Sequence, residues 1–302
     1  MSGLVLAIFG PTASGKSAVA EAIADRVDAE LVSADAMQAY RGLPILTNQP
    51  ERPTRLVGIW PLDHEGSVGE YQRLAHAAID EILAAGRVPV VTGGTGLYLR
   101  AALAELELPP APPAGARARW ERLYDEEGPE RAHAALAARD PAAAAVVHAN
   151  DRRRVVRALE LSEAGASLRP ARDRLWADET RHPTLVVGLD VPAAVLAERI
   201  EKRTRAMVAR GVVAETRAAL ADELSSTVRA TIGLEEFATL PIDDAVAAVV
   251  RKTRRYAAYQ RKWLRRLPGA VSVSADRPPD ATADAILQVA RARQRLPAGR
   301  AG

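Results

Sequence analysis

Short apolar runs alternate with stretches of helical periodicity over the first hundred residues. The apolar runs at 4–9, 31–33 and 88–91 end at glycine, proline or polar residues, as buried strands do. Between them, apolar positions recur at helical spacing over 16–26 and 70–85. Strands that alternate with helices predict the α/β class, with a parallel sheet wound by helices.

The pattern changes near residue 107, where a proline-rich connection begins. The chain is then predicted to be helical and strand-free to about residue 166, and an apolar strand pattern resumes at 185–189. Long helical patterns follow. We therefore expect a helical insertion domain within an α/β core, with the core at 1–111 and 183–296, the insertion at 112–182 and a disordered tail at 297–302.

Composition excludes several kinds of site. The 302 residues include no cysteine, which rules out disulfides, thiolate zinc sites and a cysteine nucleophile. No apolar run is long enough to cross a membrane and the N-terminus lacks a signal-peptide pattern, so we expect a cytoplasmic protein without membrane contact. No apolar stripe is left over outside the predicted core, which favours a monomer.

Basic residues are unevenly distributed, although the net charge is only +3. One cluster lies at 150–157, and a second, which contains no acidic residue, extends from Arg251 to Arg266. Such clusters suit a polyanionic partner such as RNA, and solvated helix faces would produce the same pattern. The charge pattern leaves both explanations open.

The first predicted strand leads into a phosphate-binding loop. The segment matches the P-loop pattern at every position and precedes a predicted helix; its residues are Gly10, Pro11, Thr12, Ala13, Ser14, Gly15, Lys16 and Ser17. The glycines let backbone N–H groups converge, the helix N-terminus adds partial positive charge, and Lys16 adds a full charge. The Ser17 hydroxyl is a candidate ligand of Mg²⁺. The motif predicts a diphosphate site, which ATP or another diphosphate ester would suit.

An acidic residue follows each of two other predicted strands. Asp35 comes just after the strand at 31–33. Asp190 follows the strand at 185–189 but precedes Val191-Pro192, so capping of the next helix is its expected role. Ligands of such sheets bind at the carboxyl ends of the strands, which makes Asp35 the stronger candidate for chemistry. A turn or helix-cap aspartate is the alternative there.

Several segments in the correct order resemble the tRNA dimethylallyltransferase (isopentenyltransferase) family. They are the P-loop, residues 33–42, 93–98, 150–160, 232–233 and 253–257, with Gln260 and Trp263 just after. The resemblance extends over about 4–266. It departs from the family at 46–50, where Leu-Thr-Asn-Gln-Pro replaces the usual Gly-Thr-Ala-Lys-Pro.

The resemblance implies transfer of a dimethylallyl group from dimethylallyl diphosphate to N6, the exocyclic amine, of adenine 37 in tRNA. The P-loop, with Lys16 and Mg²⁺, would stabilise the departing diphosphate. Asp35 would accept a proton from the amine, because an ordinary aspartate is ionised at neutral pH. Thr95 would lie near the reacting amine. Arg203 matches a family arginine that reaches the diphosphate.

The resemblance also implies an RNA site. The target adenine must be turned out of the stacked anticodon loop, and the insertion domain would hold the anticodon stem by binding its phosphates. The implied tRNA-binding residues are Asp35, Ala36, Met37, Gln38, Thr95, Arg117, Arg153, Arg154 and Arg157. A second expected RNA face comprises Lys252, Arg254, Arg255, Arg261 and Lys262.

Three other functions share part of this pattern. A P-loop kinase of small metabolites or nucleotides would use the same loop but leaves the 35–42 segment and the arginine clusters unexplained. An isopentenyltransferase that acts on a free adenine nucleotide would have little use for a basic insertion. A non-enzymatic GTP or ATP switch that binds RNA would place its magnesium-binding acid elsewhere, after the strand at 88–91.

Overall fold

The computed structural model of the protein describes residues 3–108, 113, 115–168 and 174–295. The chain divides into two compact units. The core unit joins the residues up to Glu105 with those from Asp178 onward, and the insertion unit spans Leu106–Ala177. The predicted tail at 297–302 and most of the predicted proline-rich connection lie outside the described residues.

Among the described residues, a six-stranded parallel sheet forms the centre of the core unit. Its strands are β1 (Val5–Phe9), β2 (Ala29–Ser33), β3 (Thr54–Arg55), β4 (Val88–Gly93), β5 (Thr184–Asp190) and β6 (Val271–Ser274). They lie in the order β3-β2-β4-β1-β5-β6, and every neighbouring pair is parallel. The predicted α/β class is confirmed. The order places the carboxyl ends of β2, β4 and β1 side by side.

Helices connect and cover these strands. In chain order they are α1 (Lys16–Ala24), α2 (Val68–Ala84), α3 (Gly96–Leu103), α4 (Ala116–Glu127), α5 (Pro129–Arg139), α6 (Pro141–Ala144), α7 (Arg152–Glu163), α8 (Ala193–Ala209), α9 (Val212–Leu220), α10 (Ser226–Arg229), α11 (Leu234–Thr239), α12 (Ile242–Leu264) and α13 (Pro279–Arg295). A short 3₁₀ turn at Arg174–Trp176 precedes β5.

The main hydrophobic core lies where α1 and α13 cover the sheet. Leu6, Ile8, Ile23, Val90 and Ile286 are all fully buried there. Strands of a parallel sheet that are buried on both faces are continuous apolar runs, and β1 is buried along its whole length. This packing fixes the point at which the phosphate-binding loop leaves the sheet.

The insertion unit contains helices α4 to α7 and no strand among its described residues. Leu136, Val155, Ala158 and Leu159 form the centre of its own hydrophobic core. Helix α7 begins at a side-chain cap, because Asp151 accepts a hydrogen bond from a backbone N–H in the first turn of the helix. The helical character of the insertion is therefore as predicted. Across the described part of the chain, every helix is too short or too polar to cross a membrane.

Candidate active site

The loop between β1 and α1 has the curled backbone of a phosphate-binding loop. Ala13 and Gly15 adopt left-handed conformations with φ of 63° and 88°, which turns successive N–H groups toward the inside of the curl. Lys16 Nζ donates a hydrogen bond across the loop to the Pro11 carbonyl at 2.9 Å. The Ser14 hydroxyl is buried without a hydrogen-bond partner among the described residues. An unused buried hydroxyl costs free energy unless a ligand atom satisfies it, so this loop is suited to an anion.

Two cationic side chains meet at this loop. Burial lowers the pKa of Lys16 to about 8, while Asp35 raises it and Arg203 lowers it. Burial also lowers the pKa of Arg203, which extends from α8, and Asp35 opposes that effect. Within the described structure, Arg203 Nε is buried and makes no hydrogen bond. Positive charge held away from water with an unused donor is stabilised when an anion binds. The structure therefore brings the predicted diphosphate residues Lys16 and Arg203 together.

The predicted magnesium ligand, Ser17, is half-buried in the first turn of α1. In the described ranges, no group of three or more histidine, aspartate or glutamate side chains could hold a metal ion by itself. A Mg²⁺ ion at Ser17 would therefore take most of its oxygen ligands from a bound diphosphate and from water. Mg²⁺ commonly binds proteins in this manner, so the residues fit an ion that arrives with its ligand.

Asp35 lies at the carboxyl end of β2. The Ala34 N–H donates to the Thr92 carbonyl at 2.8 Å, so the chain stays against β4 up to the aspartate. Asp35 Oδ1 then accepts the Met37 N–H at 3.0 Å, which fixes the turn. A side chain at Gly93 is impossible here, because its Cβ would lie 2.2 Å from the Ala34 carbonyl oxygen. The glycine lets the two strand ends approach closely.

Thr95 immediately precedes α3, on the loop that follows β4. Its Oγ1 accepts the Ala36 N–H at 3.4 Å and makes no capping hydrogen bond to its own helix. Asp35 and Thr95 come from separate segments of the sequence, and the fold brings them onto adjoining loops beside the phosphate-binding loop. The carboxyl edge of the sheet thus presents a carboxylate and a hydroxyl next to an anion site.

Two side chains of α12 reach the same loops, and neither was predicted as a site residue. Gln260 Oε1 accepts the Thr12 N–H at 2.7 Å, and Gln260 Nε2 donates to the Gly94 carbonyl at 2.8 Å. The Tyr256 side chain lies close to those of Thr95 and Gln260, and burial raises the pKa of Tyr256 to about 12. The sequence did contain one signal, because Gln260 is a polar residue at a buried position of the α12 period.

Met37 and Gln38, which were predicted to contact tRNA, form hydrogen bonds within the protein. Gln38 Oε1 accepts the Ser33 hydroxyl at 2.8 Å, and Gln38 Nε2 donates to the Asn48 carbonyl at 2.9 Å. The sulfur of Met37 accepts a hydrogen bond from the Thr231 hydroxyl at 3.1 Å. Gln38 therefore uses its amide to hold the following turn in place. Contact of these residues with tRNA stays a prediction.

The segment that departs from the family pattern is held by its own set of hydrogen bonds. Glu215, from α9, accepts the N–H groups of Ile45 and Leu46 at 2.8 and 2.7 Å. Gln49 Nε2 donates to the Tyr40 carbonyl at 2.7 Å. The sequence Leu-Thr-Asn-Gln-Pro at 46–50 thus forms an ordered turn beside the β2 loop.

The four arginines of the insertion unit that were predicted to bind tRNA have different surroundings. Arg117 and Arg157 hydrogen-bond to the two carboxylate oxygens of Glu160 at 2.9 and 3.0 Å. The Glu160 side chain is only 1% exposed, so these two arginines compensate a buried negative charge. Arg153 and Arg154 are exposed on the first turn of α7. The sequence predicted one role for all four arginines, because the burial of Glu160 arises only when the helices pack.

The expected capping role of Asp190 was wrong. Helix α8 begins after Pro192, which is its N-cap residue, and the exposed Asp190 carboxylate lies 4.0 Å from Arg261. Strand β5 continues through Asp190, and the aspartate therefore stands two residues too early to satisfy the helix N–H groups.

Comparison with known proteins gives a consistent family. Residues 38–267 match the family model for IPP transferases, and residues 3–54 match the model for isopentenyl transferases. A tRNA dimethylallyltransferase of Salinispora arenicola is 43% identical over 280 residues, which cover 88% of this chain and 81% of that protein. A tRNA dimethylallyltransferase of Streptomyces avermitilis is 41% identical, over 87% of this chain and 88% of that protein.

Solved structures agree with the sequence comparison. The tRNA isopentenylpyrophosphate transferase of Bacillus halodurans is similar with a TM-score of 0.69 and 29% identity, over 96% of each chain. The corresponding enzyme of Staphylococcus epidermidis has a TM-score of 0.68 and 27% identity, over 96% of this chain and 99% of that one. The fold and site define a P-loop prenyltransferase. The chain belongs to the IPP transferase family, as the resemblance indicated.

Proposed function

We propose that this protein transfers a dimethylallyl group from dimethylallyl diphosphate to the N6 amine of adenine 37 in tRNA, with release of diphosphate. One observation carries the proposal. The phosphate-binding loop, with the half-buried cations Lys16 and Arg203 beside it, adjoins two further loops that present the Asp35 carboxylate and the Thr95 hydroxyl. One half of the site suits a diphosphate, and the other suits an amine that must lose a proton.

The donor half would act by stabilising the leaving group. Charge develops on the diphosphate as its C–O bond to the allylic carbon breaks, and preorganised donors at that point lower the barrier. Burial lowers the pKa of Lys16 to about 8, so this side chain is still mostly protonated at neutral pH. Bound Mg²⁺ would add a Lewis acid at the same oxygens. Each additional 1.4 kcal/mol or so of stabilisation in the transition state is worth about a factor of ten in rate.

The acceptor half would remove a proton from the adenine amine. One oxygen of Asp35 is held by the Met37 N–H, which fixes the carboxylate and leaves its second oxygen for the substrate. Thr95 bonds to the adjoining backbone and lies where it could orient the amine. A general base must approach the proton it abstracts to within hydrogen-bonding distance, which a carboxylate on a rigid strand end can do.

Exposed basic residues in the insertion unit support tRNA as the acceptor. Arg153 and Arg154 are exposed to solvent, where a phosphate can reach them, whereas Arg117 and Arg157 compensate the buried Glu160. We therefore assign direct binding of the RNA backbone to the first pair and a supporting role to the second. Interactions of this kind set the register of RNA on a protein without reading its sequence.

A second basic surface lies on the core unit, between α8 and α12. A cavity of about 650 Å³ there is lined by Glu201, Arg205, Asp243, Val246, Ala247, Val250, Arg251, Arg254 and Arg255. In the described structure Arg251 and Arg255 have no acidic partner, and they lie one helical turn apart on α12. We propose that this groove also binds the phosphate backbone of tRNA.

The relatives favour tRNA over a free nucleotide as acceptor, because the proteins to which this chain is similar are named as tRNA dimethylallyltransferases. A kinase would share only the phosphate-binding loop. The anticodon stem-loop as the recognised part of tRNA, the cytoplasmic location and the monomeric state remain predictions from the sequence.

A transfer assay tests the proposal. Labelled dimethylallyl diphosphate, Mg²⁺ and unmodified tRNA with adenines at positions 36 and 37 are incubated with the protein, and the label in tRNA is counted. We expect Asp35→Asn to lower transfer at least about 10²-fold, as loss of a general base commonly does. Asp190→Asn is the matched control, since it changes an aspartate at the end of a nearby strand. Parallel reactions replace tRNA with AMP, or supply ATP with a small acceptor. Label in AMP but not in tRNA would support the free-nucleotide transferase, and ATP consumption without transfer would support a kinase.

The proposed RNA-binding arginines are tested by the salt dependence of binding. Replacing Arg153 and Arg154 with alanine should weaken tRNA binding and reduce the slope of log affinity against log salt by roughly 1.5 to 2, or about one unit for each phosphate that is no longer neutralised. Alanine at Arg122 and Arg131, which are exposed on α4 and α5, is the matched control. Equal slopes in the two double variants would remove Arg153 and Arg154 from the interface.

A further inference from the structure

Gln260 is a buried amide with two defined partners. It is 2% exposed on α12. The carbonyl oxygen accepts a backbone N–H, from Thr12, and the NH₂ group donates to a backbone carbonyl, that of Gly94. These two partners have opposite requirements, so the amide has one satisfactory orientation. Both polar groups of the Gln260 amide thus hold backbone segments.

The two segments that Gln260 joins are the two reactant loops of the proposed site. Thr12 belongs to the phosphate-binding loop, and Gly94 directly precedes Thr95 on the acceptor side. The approach is close, because a Cβ on Gly94 would lie 2.3 Å from Gln260 Nε2. Glycine at position 94 therefore makes room for Gln260, because a side chain there would collide with its amide.

Tyr256 lies one helical turn before Gln260 on α12. Its side chain is close to those of both Thr95 and Gln260. Thr95 in turn accepts the Ala36 N–H beside Asp35. Gln260 thus joins the phosphate-binding loop to the loop of Gly94 and Thr95 by hydrogen bonds, Tyr256 lies beside Thr95, and Thr95 bonds to the loop that carries the proposed base.

We propose that Gln260 and Tyr256 are positioning residues that set the distance between the donor carbon and the acceptor amine. The proposal rests on the proposed function. Transfer requires the nitrogen and the allylic carbon to lie about 3 to 3.5 Å apart in line with the breaking bond, and a displacement of about 1 Å can cost about 10²-fold in rate. Neither side chain needs to touch a reacting atom to have this effect.

Misplacement of the amine has a chemical consequence that can be measured. When the C–O bond of dimethylallyl diphosphate breaks and the amine is out of position, water can supply the electron pair instead. Its oxygen forms the new bond to carbon, the diphosphate leaves, the extra proton passes to solvent, and dimethylallyl alcohol results. The ratio of alcohol to prenylated tRNA therefore reports on alignment, independently of how much protein is folded.

The test compares three single variants of the full chain. Gln260→Glu keeps an acceptor for the Thr12 N–H but loses the donor to Gly94. Tyr256→Phe removes only the hydroxyl beside Thr95. Tyr259→Phe, three residues further on the same helix, changes an exposed tyrosine and is the matched control. Rates of transfer, alcohol formation, KM for tRNA and the affinity for inorganic diphosphate are measured for each.

We expect the first two variants to lower kcat for transfer by about 10- to 100-fold. The alcohol-to-tRNA product ratio should rise at least about tenfold in both, with less than about a threefold change in KM for tRNA and in diphosphate affinity. Tyr259→Phe should match the wild type in every readout. An unchanged product ratio in Gln260→Glu and Tyr256→Phe would overturn the inference, whatever happens to kcat. Absence of transfer by the wild-type protein would instead overturn the proposed function, and this inference with it.

Discussion

Binding of a diphosphate should be coupled to protonation of Lys16. In the free protein, burial lowers the pKa of this side chain to about 8, so its charge is progressively lost above that pH. A bound diphosphate would raise the pKa again to its ordinary value or higher, because a nearby opposite charge favours the ammonium form. Binding above pH 8 must then take up a proton, and the affinity must fall as the pH rises.

The size of this effect follows from the two pKa values. If Lys16 titrates near 8 in the free protein and well above 10 in the complex, the dissociation constant should be about twofold higher at pH 8 than at low pH and about tenfold higher at pH 9 than at pH 7. The second change corresponds to about 1.4 kcal/mol of binding free energy. Proton uptake should be about 0.9 per ligand at pH 9 and about 0.1 at pH 7.

Calorimetry with a non-reactive thio analogue of dimethylallyl diphosphate measures both quantities. Titrations at pH 7, 8 and 9 in two buffers with different heats of ionisation give the number of protons taken up. Lys16→Arg is the control, because a guanidinium stays charged over this range and should bind with little dependence on pH. Equal proton uptake by the two proteins at pH 9, or a wild-type affinity that is flat from pH 7 to 9, would refute the reasoning.

Three other predictions concern stability. Arg203→Met removes a cation from beside Lys16, so the melting temperature of the ligand-free protein should be unchanged or higher. The increase in melting temperature that diphosphate causes should be smaller in this variant, which thermal scans with and without diphosphate measure. Arg117→Ala should lower the free energy of unfolding by about 1–3 kcal/mol in urea, because Glu160 stays buried with one partner fewer, whereas Arg153→Ala should have no effect. Glu215→Ala should cost about 2 kcal/mol in the same urea titration, because it leaves two backbone N–H groups without their acceptor.

The parts of the site that are contiguous in sequence were predictable. The phosphate-binding loop is specified locally, by glycines that permit left-handed backbone and by a lysine and a serine at fixed spacing. Asp35 could be placed because ligands bind at the carboxyl ends of parallel strands, and the β2 strand ends where its apolar run ends. Arg203 was predicted as a diphosphate-binding residue only from the family resemblance.

Elements without a local pattern were missed. The edge strand β3 has two residues and β6 has four, too few to show alternation or a sustained apolar run. The periodicity of α12 identified a helix but could not show which buried polar residue meets which loop. Gln260 lies 248 residues after its partner Thr12, and no pattern in a single sequence relates the two.

The order of apolar and polar residues was enough to determine the α/β class and the helical insertion, and particular residues at fixed spacing determined the diphosphate loop. Each of these depends on a pattern among residues close in sequence. Chain packing alone decided the rest. It separated the arginines that hold the buried Glu160 from those that face solvent, and it joined the two reactant loops through α12. Burial and hydrogen-bond pairing between distant segments are properties of the packed chain, since they arise only when the sheet and its helices come together.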